Sequence, residues 1–429
     1  MPTRPYTVRE RKDAEMLIEM AMALDPDDAS DEELFDELFA AGAEPFVRMR
    51  KQEIGPERLS VERLKREMAE RGIMEDDCDY SSNVYTKFGF RLDDLPSVIR
   101  AFDMPVTFET LGDHKFTGEE GVLLLLCRFR STDPLLKLTW ETGRSISAIS
   151  EAVVYVVEHV VSKFPHLIDQ RSFSSWAPHF STFAAAFAAK GLPIPNLVAF
   201  IDGKLYPVCR PGRYQRVLYS GHKRIHGCKT QGTVFPNGIQ PFPYGPINGS
   251  HHDSFVLGTS QIVQLMHDIC RGGPLAPGVP GGLGHDYVLF GDSAYPISLF
   301  LWRMYKGAMT AGQANFNADM SPARVSVEWG FGKIVELWPF LDYRKKLQVL
   351  LSPVGLFMQV GNVLTNMHTC LYGSIVSDAF GVEPPDLDEY MAGGPYTCGF
   401  ACAQRHHPRC LPVAQSLASL AAPASPHGY

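Results

Sequence analysis

The sequence predicts an α/β fold in which a mixed sheet is flanked by helices and preceded by a helical region. Residues 117–164 show the apolar periodicity of helices. Residues 196–260 consist largely of short apolar runs separated by Gly and Asn-Gly, which is typical of strands. A further strand ends near Asp292, and helices are expected from about residues 296 and 321. Strands followed by helices indicate a mixed sheet with helices packed on it.

Length and composition narrow the class of protein. A chain of 429 residues with 45% apolar residues can form two or three domains with a real core. Its nine cysteines lack the pattern of a secreted disulfide framework, which favours a reducing compartment. The first residues lack the apolar core of a secretory signal, and no window reaches the ~18 apolar residues of a membrane span. We therefore expect a soluble protein with no membrane partner.

Charge is unevenly distributed along the chain. The net charge is -8, but residues 1–100 contain 24 acidic and 15 basic residues and so carry -9, while the remainder carries +1. Within the remainder, residues 202–230 contain seven Lys or Arg and one acid. Basic side chains neutralise phosphate oxygens, so this stretch indicates contact with nucleic acid. A solvated strand face is the alternative explanation.

The first two of four predicted regions are helical. Residues 1–105 are an acidic, partly flexible leader, in which residues 30–42 and 57–71 have the pattern of amphipathic helices. A linker is expected at 75–82. Residues 106–192 contain a short helix, a Gly-containing turn and a longer helix, which fits a helix-turn-helix. A hairpin that only packs a core is the alternative, so DNA reading by this region is a hypothesis.

The last two regions differ in composition. Residues 193–383 contain the predicted strands and the helices that follow them, and we assign the α/β domain to this region. Residues 272–284 interrupt it with nine Gly or Pro in thirteen residues, which predicts a loop. Residues 384–429 are rich in Pro, Ala and Ser and are predicted to be a disordered tail.

Two carboxylates follow apolar runs in the same way. Asp202 follows the run in VAFIDGK, and Asp292 follows the run in YVLFGDSAYP. In α/β sheets the ends of strands border the crevice where ligands bind, so the two side chains are expected to converge. Each could instead be a turn residue, because Asp forms hydrogen bonds with its own backbone in turns.

A third carboxylate, Glu328, is predicted to lie seven residues into a helix that opens at Ser321-Pro322. Its neighbours at helical spacing are apolar, so it is expected on the apolar side of the helix. A carboxylate there is costly unless it is paired or bound to a metal ion. The alternative to metal binding is an ion pair with Arg324, one turn earlier.

Three carboxylates without Cys or His partners are typical ligands of a hard cation, so the sequence predicts Mg²⁺ or Mn²⁺, as two ions, at Asp202, Asp292 and Glu328. Two such ions about 4 Å apart would activate water and stabilise the leaving oxygen of a phosphodiester. A zinc site in the tail is a competing idea, although its spacing fits none of the usual patterns. Its candidate ligands are Cys398, Cys402, His406, His407 and Cys410.

Phosphate contacts are assigned to basic side chains near these acids. Such contacts position DNA without reading its sequence. The predicted DNA-binding residues are Lys204, Arg213, Lys223, Arg224 and Arg324.

The order strand-Asp, strand-Asp, helix-Glu, with 35 residues between Asp292 and Glu328, resembles that of the DDE transposases, whose catalytic domain is RNase H-like. The motifs FIDGK, YSGHKRIHGCKTQGTVFPNG, GPINGSHHDSFVL, FGDSAYP, NFNADMSPARVSVEWGFGKI and GNVLTNMHTCLYG resemble successive blocks of the PIF/Harbinger family over roughly residues 110–375. The resemblance implies an RNase H-like domain with Asp202, Asp292 and Glu328 as its catalytic triad.

The resemblance also implies a further acid and several partners. Asp253, in GSHHDSFVL, matches a family acid that can ligate metal; its alternative is a helix N-cap. Lys204 departs from the family, which usually has a small residue there. Double-stranded DNA, as transposon ends and target, would be the substrate. A Myb-like protein would be a partner, and the chain would form a homo-oligomer in the nucleus, or remain cytoplasmic without that partner.

Three functions remain open at this point. The first is a metal-dependent DNA endonuclease and strand transferase that acts at transposon ends by a two-metal mechanism. The second is a domesticated relative that binds DNA or protein without cutting, which the intact acidic trio disfavours. The third is a glycosidase with a carboxylate pair, which leaves the basic stretch unexplained.

Overall fold

The structure, a computed structural model, describes residues 58–70, 78–273, 275 and 281–394. The helix predicted near residues 30–42 and the candidate zinc ligands of the tail lie outside the described residues.

The first part of the described chain is helical. Its helices and strands are α1 (Val61–Glu70), α2 (Cys78–Phe88), α3 (Leu95–Ala101), β1 (Thr107–Glu109), β2 (Lys115–Thr117), α4 (Gly118–Arg130), α5 (Leu135–Thr142) and α6 (Ile146–Lys163). β1 and β2 form a small antiparallel sheet. α1 confirms the helix predicted at 57–71. The linker predicted at 75–82 is wrong from Cys78 onward, where α2 begins.

The hairpin of α5 and α6 has the predicted helix, turn and helix. Gly143 adopts a left-handed conformation, with φ of 68°, and its N–H donates to Thr139 O at the end of α5. Ser145 then caps α6 by accepting the N–H of Ala148. The two helices are bent by 100° at this turn, an angle found in helix-turn-helix motifs. DNA reading by this hairpin stays a prediction.

Within the described ranges, no single helix is long and apolar enough to cross a membrane; the bent pair α5 and α6 meets that test together, by length and composition alone.

The second part of the described chain contains a six-stranded mixed sheet. Its strands are β3 (Leu197–Pro207), β4 (Tyr219–Ser220), β5 (Ile225–Val234), β6 (Tyr244–Asn248), β7 (Val288–Gly291) and β8 (Leu301–Arg303). They lie in the order β4-β5-β3-β7-β8, and β6 pairs with β5. The β3–β7 and β7–β8 pairs are parallel, whereas β5 is antiparallel to its three neighbours. The predicted mixed α/β sheet is thus confirmed, and its arrangement is compatible with an RNase H-like domain.

Helices precede, connect and follow these strands. They are α7 (Arg171–Ser174), α8 (Phe180–Ala189), α9 (Gln215–Leu218), α10 (Asp253–Ser260), α11 (Ile262–Arg271), α12 (Ala311–Leu337), α13 (Val354–Tyr372), α14 (Ile375–Phe380) and α15 (Leu387–Met391). Phe129 of α4 packs against Phe340 and Phe357, so the helical part and the sheet region share one core.

The segment after β7 differs from the sequence prediction in two ways. The helix expected from about 296 is wrong, because the chain forms β8 instead. The next helix, α12, begins at Ala311 and not near 321. Thr310 and Gln313 form a capping box that starts the helix ten residues early, and Pro322 lies inside it. A Pro therefore does not mark the start of this helix, although it often does.

The tail predicted to be disordered from residue 384 is ordered in its first part. α15 lies within residues 384–394, so the expectation of disorder from residue 384 is wrong for that part. Residues 395–429 lie outside the described residues.

Candidate active site

Asp202 and Asp292 lie side by side where two parallel strands separate. Ile201 of β3 pairs with Gly291 of β7, and each aspartate is the next residue in its strand direction. β3 continues to Pro207, so both the expectation that Asp202 ends a strand and the turn alternative are wrong. Asp292 does follow β7 directly, and its Oδ1 accepts the Ser293 N–H at 2.5 Å.

The environment of Asp202 disfavours its charged form. Burial raises the pKa of Asp202 to about 6, against the opposing effect of the hydrogen bond from the Gly203 N–H. The neighbouring charges of Asp292 and Asp253 raise this pKa further, whereas Arg324 lowers it. Asp202 is therefore a half-buried carboxylate that a nearby cation would stabilise.

α12 covers the face of the sheet that carries Asp202. Gly232 of β5 lies directly opposite Asp202 in the antiparallel pair. A Cβ at Gly232 would lie 2.9 Å from the ring of Phe331, so this ring fills the place of a side chain. Opposed residues in a pair project from the same face of a sheet. α12 thus lies over Asp202, as the predicted triad requires of the helix that carries its glutamate.

The orientation of α12 turns Arg324, not Glu328, toward the sheet. The buried stripe of the helix includes Met320, Val327, Phe331 and Ile334. Arg324, four residues after Met320, lies along this stripe with 25% of its side chain exposed, and its charge reaches Asp202. Glu328 lies one position past Val327, and its side chain is 52% exposed.

The expectation that Glu328 faces the apolar side of its helix is therefore wrong. Arg324 Nη2 donates a hydrogen bond to Glu328 Oε1 at 2.8 Å, the ion pair that the sequence offered as the alternative. The expectation failed because Val325 and Val335, two of the apolar neighbours of Glu328, are themselves only half-buried.

Asp253 approaches the sheet from the other face. Its Oδ1 lies 2.7 Å from where a Cβ of Gly203 would be, and side chains of successive strand residues alternate between faces. Lys229 Nζ donates to Asp253 Oδ1 at 2.9 Å. Asp253 is the first residue of α10 and makes no N-cap, because the cap position is held by His252. The N-cap alternative is thus wrong, and metal ligation by Asp253 stays a prediction.

Two residues near these acids were missed by the sequence argument. Tyr295 is fully buried, and burial, followed by the charges of Asp202, Asp253 and Asp292, raises its pKa. Lys229 was counted only as part of a basic stretch. Lys229 lies on β5, two residues from Gln231 and on the same face of the sheet, and this spacing was the available signal for Lys229. Gln231 Nε2 donates to the Tyr295 hydroxyl at 3.4 Å.

The donor set fits a divalent cation in part. Across the described ranges, no group of three or more His, Cys, Asp or Glu side chains is arranged to hold a metal ion. Asp202 and Asp292 still offer adjacent oxygen donors of the kind that Mg²⁺ and Mn²⁺ prefer. Glu328 and Asp253 instead contact basic side chains. Of the four predicted ligands, only Asp202 and Asp292 thus lie next to each other, and cation binding by them stays a prediction.

The predicted DNA-binding residues do not form one cluster. Lys204 lies two residues after Asp202, on the same face, with its Nζ 5.8 Å from the centre of the Tyr206 ring. Lys223 and Arg224 are exposed in the turn before β5, roughly 25 Å along that strand from Gly232 at ~3.3 Å per residue. Arg213 is half-buried in the connection between β3 and α9.

Comparison with known proteins agrees with this geometry. Residues 201–366 match the family model described as DDE superfamily endonuclease. No curated protein and no solved structure matched the chain. The matched segment contains Asp202, Asp292 and Glu328 and extends into α13. The match therefore supports a DDE superfamily endonuclease domain in residues 201–366.

Proposed function

We propose that this protein is a transposase of the PIF/Harbinger type, which cuts and joins DNA at transposon ends. The observation that carries the proposal is the adjacency of Asp202 and Asp292 in parallel strands, within the segment that matches the endonuclease family. The order of their elements, with α12 packed over Asp202, supports the assignment of Glu328 as the third acid.

Asp202 and Asp292 would hold Mg²⁺ or Mn²⁺, which supplies Lewis-acid chemistry for in-line attack on phosphorus. Burial of Asp202 raises its pKa to about 6, so a bound cation would stabilise the charged form of this carboxylate. On the opposite face, Tyr295 packs against Gly291 of β7 and accepts a hydrogen bond from Gln231 of β5, beneath the two aspartates.

Glu328 would join the aspartates after it releases Arg324. The pair is one helical turn apart and half-exposed, and such surface pairs contribute only about 0.3–0.5 kcal/mol. Exchange of partners is therefore inexpensive. Arg324, once released, would be free to contact a DNA phosphate next to the reacting bond.

The DNA substrate and the other partners belong to the same proposal. Lys204 shares the face of Asp202, so it would contact a phosphate near the scissile bond. Lys223 and Arg224 would contact DNA farther from the acids. A Myb-like partner, a homo-oligomer, the participation of Asp253 as a ligand and a nuclear location rest on the family resemblance.

A supercoiled plasmid nicking assay with Mn²⁺ tests the proposal. The wild-type chain is expected to nick, and Asp292→Asn is expected to lose nicking while it retains DNA binding. Asp169→Asn is the matched control, since Asp169 pairs with Arg171 at the surface. Equal nicking by wild type and Asp292→Asn would refute the assignment of the site.

The second candidate is a domesticated relative that binds DNA without cutting. It is favoured by the two ion pairs that engage Glu328 and Asp253. Intact DNA binding with no Asp292-dependent nicking in Mg²⁺ or Mn²⁺ would select this alternative.

A further inference from the structure

A groove of about 390 Å³ lies between the α5–α6 hairpin and residues 343–352. Its floor contains the buried side chains of Val153, Phe340 and Phe357. Its rim exposes three large aliphatic side chains, at Leu136, Ile146 and Leu351, which are 44%, 48% and 73% exposed. The groove therefore combines an apolar floor with an apolar rim, outside the candidate active site.

The charged side chains that line this groove are all basic. Among the described residues they are Arg128, Lys345 and Lys346, and none of the described lining residues is Asp or Glu. The guanidinium of Arg128 stacks on the Phe340 ring at 4.1 Å, which fixes one charge at the floor. Within the described residues, the ion pairs found do not include Lys345 or Lys346. A ligand with carboxylates beside large apolar side chains would complement this surface.

One segment of this same chain has that chemistry. Residues 13–47 contain twelve acids and no Lys or Arg. Within them, SDEELFDELFAA at 30–41 places Leu34 and Leu38, and Phe35 and Phe39, at the i, i+4 spacing of one helical face. Of its five acids, Asp36 and Glu37 lie between these apolar pairs, and the other three come directly before Leu34. We propose that residues 30–41 bind in this groove as an amphipathic helix.

The path of the chain allows this binding within one molecule. The described chain begins at residue 58, and the Val61 N–H donates to Glu119 Oε1 at 2.8 Å. Arg63 Nη2 donates to the Glu141 carbonyl at 3.3 Å, in the last turn of α5. The leader thus joins the fold beside one end of α5, whose eight residues span only about 12 Å.

The tether between the segment and the fold is long enough. Residues 42–57 can span up to about 50 Å when extended. A tethered segment also has an effective concentration in the millimolar range, so a weak contact suffices for binding. The inference is independent of the proposed nuclease function, because none of these residues belongs to the candidate active site.

Hydrogen exchange on the full-length chain tests the inference. Amides of residues 30–41 are expected to exchange at least tenfold more slowly than unstructured amides in the wild type. This protection should be lost in Leu34→Ser/Leu38→Ser, which removes apolar contacts, and in Lys345→Glu/Lys346→Glu, which reverses the charge of the groove.

A charge swap and a matched control complete the design. Glu33→Lys/Glu37→Lys combined with Lys345→Glu/Lys346→Glu should restore at least part of the protection. Lys223→Glu/Arg224→Glu, at exposed bases in the turn before β5, should leave it unchanged.

Three outcomes would overturn the inference. The first is unprotected exchange of residues 30–41 in the wild type. The second is protection that falls on dilution, which would assign the groove to the segment of a second copy. The third is weaker DNA binding by Lys345→Glu/Lys346→Glu with unchanged protection of residues 30–41, which would assign the groove to DNA.

Discussion

Asp202 lies beside Asp292 at the point where the parallel pairing of β3 and β7 stops. The two carboxylates carry like charges, and burial raises the pKa of Asp202 to about 6. Such an arrangement costs folding free energy in the absence of a cation, because the unfolded chain keeps both groups in water. Substitutions at this site should therefore change the free energy of unfolding as well as the nicking activity.

Asp202→Asn is expected to raise the stability of the cation-free protein while it abolishes nicking. A pKa that rises from 3.8 to about 6 corresponds to at most about 3 kcal/mol at neutral pH, and the neutral amide removes this penalty. Urea denaturation in EDTA at pH 7.5 measures the change, with Asp169→Asn as the control. A less stable Asp202→Asn protein would contradict the electrostatic account.

Divalent cations are expected to stabilise the wild-type fold through the same pair of aspartates. Binding to the folded state alone adds about 2.7 kcal/mol at a concentration one hundred times Kd. The rise in Tm with Mn²⁺ or Ca²⁺ should disappear in Asp202→Asn and in Asp292→Asn. Asp253→Asn tests the proposed part of Asp253 as a ligand; its effect on the rise is expected to be smaller, since Asp253 lies against the opposite face beside Lys229. A rise that survives Asp202→Asn would place the cation elsewhere.

Arg324→Gln is expected to strengthen cation binding without a large effect on stability. The Arg324–Glu328 pair is half-exposed, so its loss should change the free energy of unfolding by about 0.5 kcal/mol or less. Glu328 becomes available, and a positive charge near Asp202 is removed. Titration of Tm with Mn²⁺ should show a lower half-saturating concentration, while DNA affinity falls. Weaker cation binding in Arg324→Gln would show that Glu328 is not recruited.

The sequence correctly predicted the sheet and the adjacency of its two aspartates, because both depend on local patterns. Apolar runs predicted β3 and β7, and their parallel pairing brought Asp202 and Asp292 together as expected. The sequence could not reveal that β3 continues past Asp202, since that extension depends on pairing with β5, which is distant in the chain.

The orientation of α12 could not be predicted from local sequence patterns. Which side of the helix meets the sheet is fixed by Phe331, which packs where Gly232 leaves space. That contact joins residues about one hundred positions apart, so it cannot be predicted from the local periodicity of the sequence. The exposure of Glu328 and the inward position of Arg324 both follow from this contact. The same limit explains why Tyr295 was missed.

Loss of Arg144 is expected to destabilise the helical region strongly. Arg144 makes two hydrogen bonds with Glu120, at 2.9 and 2.7 Å, and Glu120 is only 1% exposed. Arg144→Met leaves a buried carboxylate unpaired, which costs about 3–5 kcal/mol. Urea denaturation measures the loss. Arg144→Met/Glu120→Met should recover most of it, and Lys137→Ala, at an exposed pair, should have little effect. Similar stability of Arg144→Met and wild type would rule out this role.

Acid is expected to destabilise the fold through His368 on α13. Burial, aided by the positive charges of Lys333, Arg130 and Arg91, lowers the pKa of His368 to about 3. The unfolded chain, with a pKa near 6.5, therefore binds a proton that the folded chain excludes. The contribution of the neutral His368 side chain to the free energy of unfolding is therefore complete above about pH 6.5. It declines as the pH falls, and the loss reaches about 2 kcal/mol at pH 5.

His368→Gln is expected to remove this part of the pH dependence. The imidazole Nε2 lies 2.9 Å from the Tyr85 hydroxyl, and the ring packs against Phe90 and Tyr372. A neutral Gln can keep a polar contact with Tyr85 but loses the ring packing, so the variant should be less stable than wild type at pH 7.5. Because Gln does not titrate, the variant should lose less stability than wild type between pH 7 and 5. Urea denaturation at each pH measures both effects. His267→Gln, at a half-exposed histidine, should retain the wild-type slope. An unchanged slope in His368→Gln would mean that other groups govern the acid sensitivity of the fold.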